Sequence, residues 1–355
     1  MSNKLKKVNV IAEMAWSHNG VLENALKIMR GAKKAGANAV GIHLTDMPTY
    51  MVESYKCLAG VTLSDTEQES SGDSIYSYLE KINLSQDEWM VINAAAVNEG
   101  IPLAVMCNDE ASFEFSKKMN VSYYVISAAC FLEFDFIKKI ALHSNDIILR
   151  VGGATLNEIR RVVDLIVEVN ANSSIVLLAG VQLYPTPIEE LHLRSILSLQ
   201  KIFPSKNISI GLADHIDGDD ESAAILPCLA LAYNISFIEK HITTDREEKL
   251  EDYEAALGIE QFANFIKKIR LSEKALGDGS LEYLTNDTYQ KYRDVARKKI
   301  VASQFIHKGE TLTVDNLAFK RSDYGCALEL LNSVLGKKVL KAIPKDCGIE
   351  LEDVS

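Results

Sequence analysis

The chain reads ISIGLADH over Ile208–His215 and SFIEKH over Ser236–His241, two short apolar segments that each end in a histidine. Apolar runs of this length, separated by a helix-like stretch, are typical of neighbouring buried parallel strands. The two histidines would then lie at the carboxyl ends of adjacent strands and face the same mouth. Neutral imidazoles there, with Asp214 and Glu239 close in sequence, suggest a metal site. The alternative is that both histidines only cap a well-packed sheet.

The same alternation of apolar segments and amphipathic stretches continues along most of the chain. The candidate strands are Val8–Ala15, Ala39–His43, Pro102–Met106, Ser122–Ser127, Asp146–Arg150, Ser174–Ala179, Ile208–Ala213 and Ser236–His241. Segments with helical periodicity lie between most of them, such as Glu23–Ala35, Leu156–Val169 and Ser222–Ala232. Eight βα units predict a closed (β/α)8 TIM barrel. A doubly wound open sheet is the alternative, although no Gly-x-Gly-x-x-Gly turn follows an early strand.

The alternation stops after about Asp278, which indicates a second domain. We predict a barrel over residues 1–284, a polar linker over 285–297 and a small β-rich domain over 298–355. Within the barrel, Thr45–Asp87 is predicted to be a long polar loop whose Glu67–Asp73 stretch forms a mobile lid or rim.

Composition places the chain among ordinary globular proteins, with 47% apolar and 25% charged residues. The net charge of −11 argues against nucleic acid or an anionic membrane as a partner. No apolar stretch reaches the ~20 residues that span a bilayer. The six cysteines are scattered and show no metal-binding spacing. We therefore expect a cytoplasmic protein with reduced thiols.

A barrel carries its chemistry at the carboxyl ends of its strands, which defines a set of candidate residues. His43 is open to three interpretations: a third metal ligand, a general base or a packed core histidine. His18, just before Gly20, is interpreted as part of a turn after the first strand. The full set of strand-end candidates is Glu13, His43, Cys107, Ser127, Arg150, Tyr184, Asp214, His215, Glu239 and His241.

Several motifs resemble, in the same order, those of the sialic acid synthase family. They are IAEMAWSHNG over Ile11–Gly20, YPTP over Tyr184–Pro187, GLADH over Gly211–His215 and IEKH over Ile238–His241. The segment Lys308–Arg321 resembles part of the antifreeze-protein-like (SAF) domain that ends members of this family. The resemblance thus covers nearly the whole chain and implies a TIM barrel followed by that small domain.

Enzymes of that family condense phosphoenolpyruvate with an N-acetylated amino sugar to give a nonulosonic acid. The resemblance implies that His215 and His241 hold a divalent metal, usually Mn²⁺ with Mg²⁺ as an alternative. Such a metal polarises the aldehyde of the open-chain sugar. The resemblance also implies that Glu13 contacts the sugar and takes part in proton transfer.

The resemblance extends to further substrate contacts and to assembly. Tyr184 matches a tyrosine of the substrate site, and Asp252 matches an aspartate near the sugar. Arg321 matches an arginine that the small domain of a neighbouring subunit inserts over the active site. A domain-exchanged homodimer is therefore expected.

The chain departs from the family pattern where the phosphoenolpyruvate would bind. One family lysine is replaced by Gly41, a second by Val125, and a glutamine by His43. Hydroxyl groups are lost at Met106, Ala128 and Ala213. Each charged hydrogen bond is worth roughly 1.5–3 kcal/mol, so phosphate binding should be weakened.

Three residues are candidates for a rebuilt substrate site. Arg150 would return one cation at the end of the fifth strand, with a forked guanidinium that suits a carboxylate or phosphate. Gln182 replaces a family asparagine, which is the mildest change, and His43 stands where the family has glutamine.

The leading hypothesis is a sialic acid synthase-like enzyme that joins phosphoenolpyruvate and an amino sugar with the help of a metal. One alternative is a metal-dependent barrel enzyme that no longer uses phosphoenolpyruvate and performs aldol or lyase chemistry on another substrate. A second alternative is a catalytically silent relative that binds a sugar.

Overall fold

Two compact units make up the protein, and they divide between Asp278 and Gly279. A computed structural model describes residues 7–55 and 74–355. The predicted lid Glu67–Asp73 lies outside these described residues. Elsewhere in the predicted loop Thr45–Asp87, two short helices form before Asn83.

The first unit is a closed barrel of eight parallel strands, which confirms the predicted TIM barrel. The strands pair in chain order, and β1 pairs with both β2 and β8 to close the barrel. The strands are β1 Asn9–Glu13, β2 Ala39–Leu44, β3 Leu103–Cys107, β4 Val121–Ser127, β5 Asp146–Arg150, β6 Ser174–Ala179, β7 Ile208–Asp214 and β8 Phe237–Thr243. A short strand, β9 (Leu257–Gly258), adds to β8.

Helices connect and surround the strands. They are α1 Leu22–Ala35, α2 Met47–Tyr50, α3 Ile75–Ile82, α4 Gln86–Glu99, α5 Glu110–Ser116, α6 Phe134–His143, α7 Leu156–Val169, α8 Ser195–Ile202, α9 Leu226–Ala230 and α10 Ile259–Leu276. Helices α4 and α7 begin at capping boxes, in which Ser85 and Thr155 exchange hydrogen bonds with the glutamates three residues later. These local signals explain why the predicted bounds of α7 are correct.

The predicted helix Ser222–Ala232 is wrong as one continuous element. It is divided into a 3₁₀ turn over Glu221–Ala224, helix α9 and a second 3₁₀ turn over Leu231–Tyr233. Pro227 lies in the first turn of α9. Proline has no backbone N–H to donate inside a helix, so a new helix starts there.

Alternation along the strands separates an outer layer from the interior of the barrel. In β1, Ala12 packs in the outer core under the helices, whereas Ile11 packs inside the barrel. In β8, Ile238 packs in the outer core and Phe237 inside. Successive side chains point to opposite faces of a strand, so this period of two places the strand-end residues. The inward set is Glu13, Gly41, His43, Arg150, Glu239 and His241.

The second unit, Gly279–Ser355, has its own small apolar core and an antiparallel pair of strands. Strand β10 (Lys299–Ala302) pairs with β11 (Leu317–Lys320). Helix α11 (Asp287–Ala296) occupies most of the predicted linker, and α12 (Leu331–Val334) follows β11. The likeness of this unit to an antifreeze-like domain stays a prediction.

No helix within residues 7–55 and 74–355 combines the length and apolar character needed to cross a bilayer.

Candidate active site at the carboxyl ends of the barrel strands

A cavity of about 630 Å³ opens where the barrel strands end. Six of the predicted site residues line it: His43, Arg150, Gln182, Tyr184, His241 and Asp252. Glu13 and His215 are buried, and they contact residues of this lining. Side chains such as Trp16, Met106, Ile75 and Leu79 add apolar wall, and Asn108 and Ser127 add neutral polar groups. The cavity therefore brings together most of the predicted site.

Arg150 is the centre of a buried ion-pair network. Its Nε donates to Glu239 Oε2 at 3.1 Å, and its Nη2 lies 3.0 Å from the same oxygen. Nη2 also donates to Glu13 Oε2. The side chain of Arg150 is 5% exposed, and those of Glu13 and Glu239 are each 1% exposed. The guanidinium thus neutralises two internal carboxylates instead of facing the cavity with free donors.

His43 completes the contacts of this guanidinium. Arg150 Nη1 lies 3.2 Å from His43 Nε2 and 3.6 Å from the sulfur of Met106. Burial lowers the pKa of His43 well below its ordinary value, and the charge of Arg150 lowers it further. The imidazole is therefore neutral and accepts from Arg150 through Nε2. This arrangement favours the packed interpretation of His43 over a metal ligand, since the lone pair is already engaged.

Glu13 is held from two sides. Its Oε1 accepts from the backbone N–H of Ala15 at 2.8 Å, and its Oε2 accepts from Arg150. Burial raises the pKa of Glu13 to about 7; the charge of Arg150 opposes this rise and that of Glu239 adds to it. A carboxyl group that titrates near neutrality can accept or release a proton at physiological pH.

The absence of a side chain at Gly41 makes this placement of Glu13 possible. A Cβ atom at position 41 would lie 2.2 Å from Glu13 Oε2. Any larger residue there would have to displace the carboxylate. The space that a side chain at position 41 would need is therefore filled by Glu13.

His215 and His241 meet at the cavity, with ring centroids 5.2 Å apart. Burial lowers the pKa of His215 to about 3 and that of His241 well below its ordinary value. Nδ1–H of His215 donates a hydrogen bond to the carbonyl oxygen of Val181 at 2.8 Å. Nε2 of His215 then carries a bare lone pair. It has no hydrogen-bond partner among the described residues, and neither ring nitrogen of His241 has one.

These features fit a metal ligand pair. A metal-binding histidine characteristically donates its other N–H to a backbone carbonyl or carboxylate, as His215 does to Val181. Buried nitrogens without partners are costly unless something binds them. No group of three or more His, Cys, Asp or Glu side chains within residues 7–55 and 74–355 is placed to hold a metal ion. The part of the chain that the structure describes thus contributes two imidazoles here, and oxygen atoms of water or substrate would complete the coordination.

Asp214 does not belong to this site, although its position next to His215 in the sequence suggested that it would. It points to the opposite face of β7 from His215, and its Oδ2 lies 2.8 Å from the Nζ of Lys240. Lys240 also donates to the carbonyl oxygen of Ile216 at 2.8 Å. Both charged side chains are essentially inaccessible to solvent. The pair is a buried structural contact between β7 and β8, because the strand period turns residues 214 and 240 away from the cavity.

Tyr184 and Gln182 form the wall next to the histidines. The Tyr184 ring lies 4.5 Å from that of His215 and 5.6 Å from that of His241. Its hydroxyl donates to Gln182 Oε1, which leaves the buried Nε2 of Gln182 without a partner among the described residues. Asp252 lines the cavity as well, with a backbone φ of 62°. These groups offer donors and acceptors suited to a hydroxylated ligand.

Arg321 lies in the second unit, near the end of β11. Its Nε and Nη2 donate to the carbonyl oxygen of Val295 at 3.3 and 3.1 Å, and the residue is exposed. The contacts that the structure gives it are within the second unit. Its predicted insertion over an active site, and the domain-exchanged dimer, stay predictions.

Glu239 is a strand-end candidate that the sequence associates with the metal site, whereas the structure pairs it with Arg150. The period of two along β8 places Glu239 on the same face as His241, and that signal is present in the sequence. Its pairing with Arg150, 89 residues away, is visible only in the structure.

Comparison with known proteins identifies relatives of this chain. Residues 28–281 match the model of the NeuB family. The chain is 31% identical over 348 residues to pseudaminic acid synthase of Campylobacter jejuni, covering 96% of this chain and 95% of that protein. It is 26% identical over 346 residues to N-acetylneuraminate-9-phosphate synthase of Mus musculus, covering 97% of this chain and 92% of that protein.

Solved structures support the fold. N-acetylneuraminic acid (sialic acid) synthetase from Leptospira borgpetersenii superposes with a TM-score of 0.65 and 22% identity, covering 83% of this chain and 96% of that chain. Spore coat polysaccharide biosynthesis protein SpsE from Bacillus subtilis superposes with a TM-score of 0.62 and 23% identity, covering 98% of this chain and 95% of that chain. At these identities the superpositions show a shared fold. Because the family model spans most of the sequence, the chain belongs to the NeuB family.

Proposed function

We propose that this sialic acid synthase-like enzyme condenses phosphoenolpyruvate with an N-acetylated amino sugar to form a nonulosonic acid. The observation that carries the proposal is the pair of neutral histidines, His215 and His241, whose unpartnered nitrogens meet beside a polar cavity. The relatives named above are synthases of pseudaminic acid and of N-acetylneuraminate 9-phosphate. A cavity of about 630 Å³ is large enough for a sugar and a three-carbon donor.

His215 Nε2 and His241 are the groups that would hold a divalent metal such as Mn²⁺. When bound, the metal would supply Lewis-acid polarisation of the sugar aldehyde. The protein's own contribution is to keep both imidazoles neutral by burial and to orient His215 through the Val181 carbonyl. Tyr184, Gln182 and Asp252 would bind the hydroxyl and N-acetyl groups of the sugar.

Glu13 is the proton carrier in this proposal. Its pKa of about 7 lets the same carboxyl group hold or release a proton under physiological conditions. Arg150 and the Ala15 N–H keep it in one position, so that the proton is delivered at a fixed site. Arg321 would act from a partner subunit's small domain in a domain-exchanged homodimer; this part of the proposal has only the sequence resemblance to support it.

The test is release of inorganic phosphate by the purified protein with Mn²⁺, phosphoenolpyruvate and a panel of N-acetylated hexosamines. We expect one sugar to give phosphate together with an equimolar nonulosonic acid, identified by mass spectrometry. Absence of both products from protein that carries metal would contradict the proposal.

A second candidate function is favoured by the state of Arg150. Among the described residues that line the cavity, it is the one cationic side chain, and two buried carboxylates already neutralise it. A phosphate needs donors and cations to offset its desolvation. The candidate is therefore an aldol or lyase enzyme that keeps the sugar and metal sites but uses a donor without phosphate. Conversion of the sugar without phosphate release would identify it.

A further inference from the structure

All three nitrogen atoms of the Arg150 guanidinium contact groups inside the protein. Nε and Nη2 face Glu239, Nη2 also faces Glu13, and Nη1 faces His43 and Met106. Of the five N–H groups of a guanidinium, four donate hydrogen bonds here, to Glu239, Glu13, His43 and the weakly accepting thioether of Met106. An anion that binds Arg150 in the cavity therefore meets a guanidinium whose charge two carboxylates already balance.

The two carboxylates differ in how firmly they are held. Glu13 has a second anchor, the N–H of Ala15 at 2.8 Å. Glu239 accepts from Arg150 through Oε2 alone, and its buried Oε1 has no hydrogen-bond partner among the described residues. Displacement of Glu239 therefore breaks contacts to one residue, whereas displacement of Glu13 also leaves a backbone N–H unsatisfied.

We propose that Glu239 is a specificity-determining residue that competes internally with anionic substrates for Arg150. An incoming phosphate or carboxylate has to compete with the Glu239 carboxylate for the charge of the guanidinium. The ion pair between Arg150 and Glu239 therefore makes anions bind more weakly in the cavity than they would bind to an unpaired Arg150. The inference rests on the proposed function in one respect, namely that the cavity receives an anionic donor.

Isothermal titration of the purified, metal-loaded protein with phosphoenolpyruvate, and separately with inorganic phosphate, tests the inference. In Glu239→Gln the side chain keeps its shape but loses its charge. We expect phosphoenolpyruvate to bind at least ~10-fold more tightly than to the wild type, equivalent to about 1.4 kcal/mol. In the double variant Glu239→Gln with Arg150→Gln, which has the same net charge as the wild type, this gain should disappear.

Glu251→Gln is the matched control, because Glu251 is a second glutamate of the cavity lining and accepts from the hydroxyl of Tyr78. It should bind phosphoenolpyruvate as the wild type does. An equal gain in Glu251→Gln would show a general charge effect and overturn the inference. No gain in Glu239→Gln, or a gain that survives loss of Arg150, would also overturn it.

Each variant is compared at equal metal content and after its thermal unfolding has shown a folded protein. Where Glu239→Gln does not fold, Glu239→Asp replaces it, since a shorter carboxylate withdraws from Arg150 and should raise anion affinity in the same direction. Tighter anion binding without product from any sugar would leave this inference standing and contradict the proposed function. Product formation by the wild type, with no gain in affinity in Glu239→Gln, would support the proposed function and contradict this inference.

Discussion

At the scale of single residues, the two cavity histidines owe their chemistry to burial and to one backbone carbonyl. Val181 fixes the tautomer of His215 and directs its Nε2 lone pair away from the Nδ1 hydrogen bond. His241 has no such anchor among the described residues, so only its packing against Tyr184 and His215 orients it. A metal bound here would therefore depend on both rings.

We expect His215→Ala and His241→Ala each to lower affinity for Mn²⁺ by at least ~10–100-fold, since loss of a ligand costs no less than loss of its supporting hydrogen bond. Metal content after dialysis, measured by elemental analysis, checks this, and circular dichroism checks that the barrel remains folded. His143→Ala is the control, because His143 is exposed at the end of α6. Unchanged metal stoichiometry in both cavity variants would disprove the ligand assignment.

At the scale of strands, the sequence predicts where strands begin and end far better than it predicts which side chains form ion pairs. The bounds of β5 and β6 agree with the prediction, because short runs of Ile, Val and Leu define buried parallel strands. The rule that chemistry lies at strand ends placed Arg150 at the mouth. It gave no sign that Glu13 and Glu239, which are 137 and 89 residues away, would both neutralise it. Such pairings depend on side-chain lengths across the barrel, which a strand pattern does not contain.

Gly41 shows how one position in β2 sets the arrangement of its neighbours. We expect Gly41→Ala to destabilise the protein by roughly 1–3 kcal/mol, the usual cost of overpacking, because its Cβ would lie 2.2 Å from Glu13 Oε2. Glu13 cannot move aside freely, since Arg150 and the Ala15 N–H hold it. Urea denaturation measures the change.

Gly258→Ala serves as the control for this substitution, since a Cβ there has its nearest contact at 3.4 Å, with Gln261. It should change the free energy of unfolding by no more than about 0.5 kcal/mol, because the preference of the helix N-cap for glycine over alanine is offset by the smaller entropy of the unfolded chain. If Gly41→Ala were as stable as this control and equally active, the tight placement of Glu13 against β2 would be refuted.

At the scale of the whole molecule, the barrel keeps four histidines neutral: His18, His215 and His241, which are buried, and His43, whose side chain is 11% exposed. Burial is the main cause of the lowered pKa of each of them. The unfolded chain binds protons at the ordinary histidine pKa near 6.5, whereas the folded barrel resists protonation until much lower pH. Acid should therefore unfold this protein more readily than its number of paired carboxylates alone would indicate.

His18 allows this expectation to be tested away from the cavity chemistry. Burial lowers the pKa of His18 to about 4, and its Nδ1 accepts from the N–H of Gly20 at 3.1 Å. The pKa of His18 is lower in the folded protein than in the unfolded chain. Its contribution to the free energy of unfolding is therefore fully present above about pH 6.5 and is lost as the pH falls from there toward 4. This single group should remove about 2 kcal/mol between pH 7 and pH 5.

Asparagine at position 18 could still accept from Gly20 but would not titrate, so the loss of stability on acidification should be about 2 kcal/mol smaller in His18→Asn. Urea denaturation at both pH values measures it, followed by tryptophan fluorescence. Trp16 and Trp89 are the two tryptophans of the chain. Both report on the barrel, with ring centroids 6.2 and 5.4 Å from that of His18. Equal acid sensitivity of the two proteins would mean that His18 is not held neutral by the fold, and the acid response would then have to come from the cavity histidines.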